Sequence, residues 1–197
     1  MSKTVVVNLL GGSGLGKSTT AARIFGAMKF RGLHCELVRE FVKEWAWAGK
    51  KVGNFGQSII YGQQLERESM LYGKVDYIVT DSPLLLCPMY QKFYNGHEAI
   101  KNLVFQDLEI AQEMGVDHVN FLLRRKKPFD PRGRYETEET AKQVDEYVEN
   151  FLNYHKIHFV DVNCEDEERV NFILGYLDAI KEDKNGDSVP FHSSNVS

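Results

Sequence analysis

The residues best suited to chemistry lie in a glycine-rich segment near the start of the sequence. Residues 11–18 fit the pattern G-x-x-x-x-G-K-[ST] in full and follow a predicted strand. Glycines let the backbone curl so that N–H groups point at a phosphate, with Lys17 between the β- and γ-phosphates and the Ser18 hydroxyl toward Mg²⁺. The segment therefore predicts a site for ATP with Mg²⁺. The predicted nucleotide contacts are Gly11, Gly12, Ser13, Gly14, Leu15, Gly16, Lys17, Ser18 and Thr19.

Two carboxylates follow predicted strands, at the edge where ligands bind in open parallel sheets. Glu40 comes after the strand at 34–39, and Asp81 comes after the strand at 76–80. Phosphoryl transfer to a hydroxyl needs a base near the acceptor and a carboxylate near the metal ion. We expect Asp81 to act with Ser18 on Mg²⁺ and Glu40 to face the acceptor. The alternatives are a solvated charge at a helix start for Glu40 and a helix cap for Asp81.

A cluster of positive charge lies at residues 124–134, where six of eleven residues are Lys or Arg. Like charges repel unless an anion is near, and a triphosphate is such an anion. We expect a mobile lid over 124–136 that closes on the phosphates. Arg124, Arg132 and Arg134 would then act in catalysis by stabilising the charge of the transferred group. The alternative is a solvated, flexible loop.

Aromatic and amide side chains lie between the second and third predicted strands. Such side chains suit the recognition of a base by stacking and paired hydrogen bonds. We expect Trp45, Tyr61 and Gln63 to contact the acceptor together with Glu40. The alternative, which is the better one for any single aromatic, is that these rings fill the core.

Strands and helices alternate along the chain, which predicts an α/β fold with a parallel sheet covered on both faces. Asn54 and Thr137 are predicted helix N-caps. One domain is expected over residues 1–180, and the polar residues 181–197 predict a disordered tail. The predicted strands cover 3–10, 34–39, 76–80, 118–123 and 158–162.

Composition favours a globular protein that acts on small molecules. The net charge of -4 gives weak evidence against long contacts with nucleic acid, although the segment at 124–134 is basic. The three cysteines are far apart and suit a reducing cytoplasm. We expect no signal peptide, because the N-terminus leads directly into a strand, and no contact with a membrane, because no apolar run approaches roughly 20 residues. The sequence leaves open whether the protein forms a homodimer.

These features together resemble the P-loop nucleoside and nucleotide kinases. Within that group the chain is similar to the AAA-type ATPase/kinase domains related to ribosylnicotinamide kinase, including small forms common in bacteriophages. The resemblance covers about residues 3–180 and rests on the phosphate loop, residues 38–44, residues 78–83 and the arginine-rich lid. It implies a P-loop fold with five parallel strands, a kinase activity and the residue roles given above.

Two departures leave the acceptor open. Ribosylnicotinamide kinases tend to carry an Arg where this chain has Lys43, and thymidylate kinases carry Asp-Arg where it has Asp81 and Ser82. The leading hypothesis is a kinase for a nucleoside, a nucleotide or a related small molecule. The alternatives are a bacteriophage kinase that modifies a hydroxymethylated pyrimidine in DNA and an ATPase without an acceptor. The sequence lacks the Asn-Lys-x-Asp string of GTPases and the paired acids of motor ATPases, which favours a kinase.

Overall fold

A five-stranded sheet forms the centre of the protein. The computed structural model describes residues 3–126, 128–130, 132 and 135–185. The strands are β1 (Thr4–Leu10), β2 (Cys35–Val38), β3 (Tyr77–Thr80), β4 (Val116–Leu123) and β5 (Val160–Val162). They pair in parallel in the order β2-β3-β1-β4-β5. The predicted fold class, α/β with five parallel strands, is confirmed.

Seven helices of the described chain connect and follow these strands. They are α1 (Lys17–Phe30), α2 (Val42–Trp47), α3 (Gly56–Ser69), α4 (Leu86–Asn95), α5 (Lys101–Glu113), α6 (Glu138–Tyr154) and α7 (Arg169–Asn185). The predicted cap at Thr137 is confirmed, because its hydroxyl accepts a hydrogen bond from the Thr140 N–H. The predicted cap at Asn54 is wrong, since Phe55 occupies the N-cap position of α3 and makes no side-chain cap bond. Helix α7 reaches Asn185, inside the segment predicted as a tail, and residues 186–197 lie outside the described residues.

Alternating side chains of the central strand fill two separate layers. Val7 and Leu9 pack with α1 and α7, whereas Leu10 packs with α3, α4 and α6 on the opposite face. Successive strand residues point to opposite sides, so a strand buried on both faces reads as a continuous apolar run. None of the described helices has the length and apolar character needed to span a bilayer.

The topology brings three predicted site segments to one edge. In a parallel sheet all strands end on the same side, and β1 lies between β3 and β4. Residues 11–16 leave β1 at the centre of that edge, while Glu40 follows β2 and Asp81 follows β3. The order of the strands therefore places both carboxylates on the same side of the glycine-rich loop.

Candidate nucleotide and acceptor site

The glycine-rich loop has a backbone conformation that side chains would obstruct. Gly14 and Gly16 have φ angles of 80° and 83°, in the left-handed region that favours glycine. Gly11, at φ 127°, leaves no space either, since a Cβ there would lie 2.2 Å from the Leu15 side chain. Helix α1 starts directly after Gly16 without a side-chain cap. Its first N–H groups are therefore suited to an anionic ligand, and the loop fits a phosphate group.

Lys17 folds back over the loop from which it projects. Its Nζ donates hydrogen bonds to the carbonyl oxygens of Gly11 at 2.8 Å and Gly12 at 2.7 Å. Burial lowers the pKa of Lys17, and the nearby carboxylates of Glu40 and Asp81 counteract that shift. The ammonium group is therefore held beside the loop, within the electrostatic influence of two acids.

A buried arginine stabilises the loop, and no pattern in the sequence predicted its role. The Arg169 side chain is fully buried and donates to the Leu15 carbonyl at 2.6 Å and to the Arg124 carbonyl. It also pairs with Asp166 at 2.6 Å. Arg169 thus ties the loop to the end of β4 and to the start of α7.

A second pair of charges, Asp145 and Arg125, also holds the loop, and neither residue was predicted to do so. Asp145 on α6 accepts a hydrogen bond from the Gly12 N–H at 2.7 Å. Arg125 pairs with Asp145 at 2.7 Å and donates to the Ser13 carbonyl at 2.8 Å. Arg125 belongs to the predicted basic cluster, which was a usable signal. Asp145 lies beside the buried residues of an amphipathic helix, where nothing local marks it.

The two predicted strand-end acids are directly connected. Asp81 is buried, and its Oδ1 accepts a hydrogen bond from the Glu40 N–H at 2.9 Å. Glu40 lines a cavity next to Lys17. Burial raises the pKa of Glu40, Lys17 lowers it, and Asp81 raises it again. The structure therefore brings Lys17, Glu40 and Asp81 together, while their separate roles stay predictions.

The cavity, of about 560 Å³, lies between the loop, α2, α3, α4 and residues 135–136. Its lining combines polar groups with apolar and aromatic side chains. The polar residues are Ser13, Lys17, Ser18, Thr19, Glu40, Lys43, Lys51, Gln57, Ser82, Asn95 and Glu136. The apolar and aromatic residues are Val42, Ala46, Val52, Ile60, Leu86, Cys87, Tyr90, Tyr94 and Tyr135. Its size and mixed lining suit a small organic molecule.

Three residues predicted to contact the acceptor do not line this cavity. Trp45 packs against Phe41 and lies under the Lys50 ammonium group. The Tyr61 hydroxyl donates to Asp107 on α5, and Gln63 is absent from the lining. For Tyr61 and Gln63 the reason is the orientation of α3, which turns Gln57 and Ile60 toward the cavity instead.

The predicted lid arginines have carboxylate partners where they are described. Arg124 donates to Glu149 at 2.5 and 2.6 Å and to Asp161 at 2.6 Å. Arg132 is exposed and pairs with Asp130 at 2.7 Å. Arg134 lies outside the described residues. Contact of these arginines with phosphate, and the mobility of the lid, stay predictions.

A carboxylate in the same segment was not predicted. Glu136 lines the cavity, and its Oε1 accepts a hydrogen bond from the Tyr94 hydroxyl at 2.6 Å. Its Oε2 is buried without a hydrogen-bond partner among the described residues. Glu136 follows the basic cluster closely in the sequence, but the pattern that predicted the lid consists of cations alone.

The donor set agrees with a magnesium ion held mainly by phosphate and water. Within the described residues, no three His, Cys, Asp or Glu side chains are grouped closely enough to hold a metal ion. Mg²⁺ keeps several waters and needs only one or two protein oxygens beside a nucleotide. The Ser18 hydroxyl, which is exposed at the cavity, and the Asp81 carboxylate could supply those oxygens.

The parallel sheet and the glycine-rich loop at its central strand define a P-loop protein of the α/β class. The chain belongs to the AAA domain family, whose model matches residues 6–169. No curated protein matches the sequence.

Solved structures with the same fold include two kinases. A deoxyadenosine kinase from M. mycoides is similar at a TM-score of 0.56 and 18% identity, over 88% of this chain and 98% of that one. A gluconokinase from Sinorhizobium meliloti 1021 is similar at a TM-score of 0.52 and 15% identity, over 95% of this chain and 98% of that one. At these identities the likeness shows the fold.

Proposed function

We propose that the protein is a kinase that transfers the γ-phosphoryl group of ATP, with Mg²⁺, to a nucleoside, a nucleotide or a related small molecule. The observation that carries this proposal is the position of Glu40. Its carboxylate lines the same cavity as Lys17 of the phosphate loop. A triphosphate site that opens into a cavity with a carboxylate beyond it has room for a second substrate.

The loop supplies the electrostatic part of such a reaction. Its N–H groups and Lys17 would bind the β- and γ-phosphates, and Ser18 with Asp81 would hold the metal ion. When bound, the metal ion neutralises charge on the phosphate oxygens. Arg169 and Asp145 fix the loop before any ligand arrives, and a preorganised site needs little reorganisation during the reaction.

Glu40 is placed to act on the acceptor. A general base works best when its pKa approaches the working pH, and burial raises the pKa of Glu40 in that direction. Glu40 would accept the proton of the acceptor hydroxyl as its oxygen bonds to the γ-phosphorus and the bond to ADP breaks. The hydrogen bond from the Glu40 N–H to Asp81 would couple the position of the base to the metal side.

The charges of the described basic segment favour a small acceptor over DNA. Binding to a duplex depends on cations free to replace counterions along the phosphates. Arg124, Arg125 and Arg132 are instead each paired with a carboxylate. The apolar and aromatic residues of the cavity lining also suit a compact ligand, such as a nucleoside of the ribosylnicotinamide type.

A transfer assay with labelled ATP and Mg²⁺ tests the proposal against nucleosides, nucleoside monophosphates and hydroxymethylated DNA. We expect Lys17→Ala to lower transfer by about 10²-fold or more, because it removes a preorganised charge from the transferred group. The matched control is Lys74→Ala, since Lys74 is exposed in the turn before β3. Transfer at the wild-type rate by a folded Lys17→Ala variant would contradict the proposal.

A further inference from the structure

A buried glutamine on α3 connects two segments of the site. Gln64 is completely buried. Its Oε1 accepts a hydrogen bond from the Phe41 N–H at 3.3 Å, and its Nε2 donates to the Thr80 hydroxyl at 3.5 Å. The amide therefore reaches from the residue after Glu40 to the residue before Asp81. Gln64 itself does not line the cavity.

This contact extends the connection between β2 and β3 beyond the end of their ladder. The paired register of the two strands ends with Val38 and Thr80. Beyond that pair, the Glu40 N–H donates to Asp81 Oδ1 at 2.9 Å, and the next N–H along the chain donates to Gln64. Two consecutive backbone N–H groups are therefore held by two side chains, one at the end of β3 and one on α3.

These two hydrogen bonds determine the direction in which the Glu40 side chain leaves the backbone. The N–H groups of Glu40 and Phe41 lie on either side of the Glu40 Cα, so bonds to both restrict φ and ψ at that residue. The direction of the Cα–Cβ bond is fixed with them. Loss of one bond would let the carboxylate shift, and a displacement of about 1 Å can slow an enzymatic reaction by about 10²-fold.

The type of residue at position 64 is unfavourable if it only fills the core. A buried amide needs good hydrogen bonds, and both bonds of Gln64 are long for their kind. Ile60 and Leu65, which lie on the same helix, are apolar and pack in the core. An apolar side chain at position 64 would avoid the cost of burying an amide, but it could not accept from one group and donate to another. Residues that break a rule of core packing are expected at functional sites.

We propose that Gln64 is a positioning residue for phosphoryl transfer, which holds the backbone at Phe41 so that the Glu40 carboxylate faces the acceptor. Thr80 orients the amide from its other end. The Thr80 hydroxyl also accepts a hydrogen bond from the N–H of Ser82, a residue that lines the cavity, at 3.1 Å. This inference rests on the proposed function and deepens it, because it identifies what orients the proposed base.

Transfer assays on Gln64→Met and on a matched control, Gln91→Met, test the inference. Gln91 is also a buried glutamine, and its Oε1 accepts from the Ile100 N–H at 3.0 Å, but it does not line the cavity. The acceptors are adenosine, cytidine, thymidine and their 5′-monophosphates, with labelled ATP and Mg²⁺. We expect Gln64→Met to lower kcat by about 10- to 100-fold with an unchanged KM for ATP. Gln91→Met should keep kcat within about 2-fold of wild type and should lose more stability in urea, because its hydrogen bond is shorter.

Dependence on Glu40 separates positioning from a general effect on the fold. In the Glu40→Gln background, Gln64→Met should lower kcat by less than about 3-fold, because a residue that acts through the base has no effect once the base is absent. Thr80→Ser keeps the hydroxyl and should retain the wild-type kcat, whereas Thr80→Val should resemble Gln64→Met.

Amide hydrogen exchange, measured by NMR, gives a readout that does not depend on transfer. In Gln64→Met the Phe41 amide should exchange about 10-fold faster than in wild type, because its hydrogen bond is lost. The Ile100 amide should respond only to Gln91→Met.

The inference is overturned if Gln64→Met retains the wild-type kcat, or if it lowers kcat by the same factor with and without Glu40. Equal losses of kcat in Gln64→Met and Gln91→Met would also overturn it, because any buried amide would then have the same effect. With Lys17-dependent transfer by the wild-type protein, each of these results would defeat the inference and support the kinase. Absence of transfer by the wild-type protein would defeat the proposed function, and the inference with it.

Discussion

Two regions of the molecule hold buried or half-buried charges, and only one of them opens to a ligand. At the carboxyl edge of the sheet, Lys17 and Glu40 face a cavity. Deeper in the same sheet, Glu68, His118 and Asn8 lie where α3 covers the strands, and none of them lines that cavity. Burial raises the pKa of both glutamates. A raised pKa therefore does not by itself mark a functional site in this protein.

The second region, which contains Glu68, His118 and Asn8, is called the sealed region below. Its polar groups bond to one another, and some of them lack a hydrogen-bond partner among the described residues. Glu68 is fully buried and accepts a hydrogen bond from the Tyr72 hydroxyl at 2.7 Å. The Asn8 amide nitrogen lies 3.2 Å from His118 Nδ1 and 3.0 Å from the Asn120 side-chain oxygen. His118 Nε2 is 4.0 Å from Glu68 Oε1, too far for a hydrogen bond. Burial raises the pKa of Glu68 to about 7 and lowers the pKa of His118 to about 4, since charges in such a place lack solvation, so both groups are mainly neutral between these two pH values.

Position relative to the strand ends explains the difference. Backbone N–H groups and helix dipoles point at ligands only beyond the ends of the strands, so a charge there can act on a substrate. A charge in the middle of the strands can only change stability. Substitutions at the edge should therefore change transfer, and substitutions in the sealed region should change the free energy of unfolding.

The largest effect is expected at the edge. Glu40→Gln should slow transfer by roughly 10²–10⁴-fold, because it removes the proposed base, while ATP affinity stays nearly unchanged. Asp81→Asn should weaken Mg²⁺-dependent nucleotide binding as well as transfer. Titration of a fluorescent ATP analogue with Mg²⁺, run beside the transfer assay, separates the two roles.

Two outcomes would contradict these roles of Glu40 and Asp81 at the edge of the sheet. Loss of nucleotide binding in Glu40→Gln with retention in Asp81→Asn would reverse the two roles. Wild-type transfer by both variants would place the chemistry elsewhere. Stability gives a further control: burial raises the pKa of Glu40, so removal of this charge should not destabilise the protein at pH 7.

An intermediate effect is expected beneath the loop. Arg169→Met should lower the free energy of unfolding by about 3–5 kcal/mol, because it removes a buried ion pair with Asp166 and a buried hydrogen bond to the Leu15 carbonyl. The control is Arg31→Met, whose exposed pair with Asp178 at 3.0 Å should contribute about 0–1 kcal/mol. Urea unfolding followed by tryptophan fluorescence measures both. Equal losses in the two variants would mean that Arg169 does not brace the loop.

The range of each contact along the chain decided what the sequence could predict. The phosphate loop was readable because its geometry depends on neighbouring glycines, and Glu40 and Asp81 because they directly follow strands. Arg169 and Asp145 reach the loop across 154 and 133 residues, and no local pattern records such contacts. Aromatic and amide residues occur all around α3, so composition could not indicate that Gln57, and not Tyr61, lines the cavity.

The smallest effect is expected in the sealed region, where two titrations oppose each other. Burial raises the pKa of Glu68 from 4.5 to about 7, so the folded state keeps a proton that the unfolded chain releases. Its contribution to stability is full below pH 4.5 and is lost as pH rises to about 7. Burial lowers the pKa of His118 from 6.5 to about 4. Its contribution is full above pH 6.5 and is lost as pH falls to about 4.

Because the two slopes have opposite signs between about pH 4.5 and 6.5, they should nearly cancel in the wild-type protein. The pH dependence of the unfolding free energy of each single variant should therefore show the contribution of the group that remains. Relative to wild type, the unfolding free energy of Glu68→Gln should rise by about 3 kcal/mol from pH 4.5 to 7, and that of His118→Gln should fall by about 3 kcal/mol from pH 4 to 6.5. Urea unfolding at several pH values measures the slopes, and groups common to all three proteins cancel in the comparison. Wild-type slopes in both variants would show that these groups titrate normally. Altered transfer at pH 7 in a folded variant would show that the sealed region acts on the site after all, and the separation of the two regions would fail.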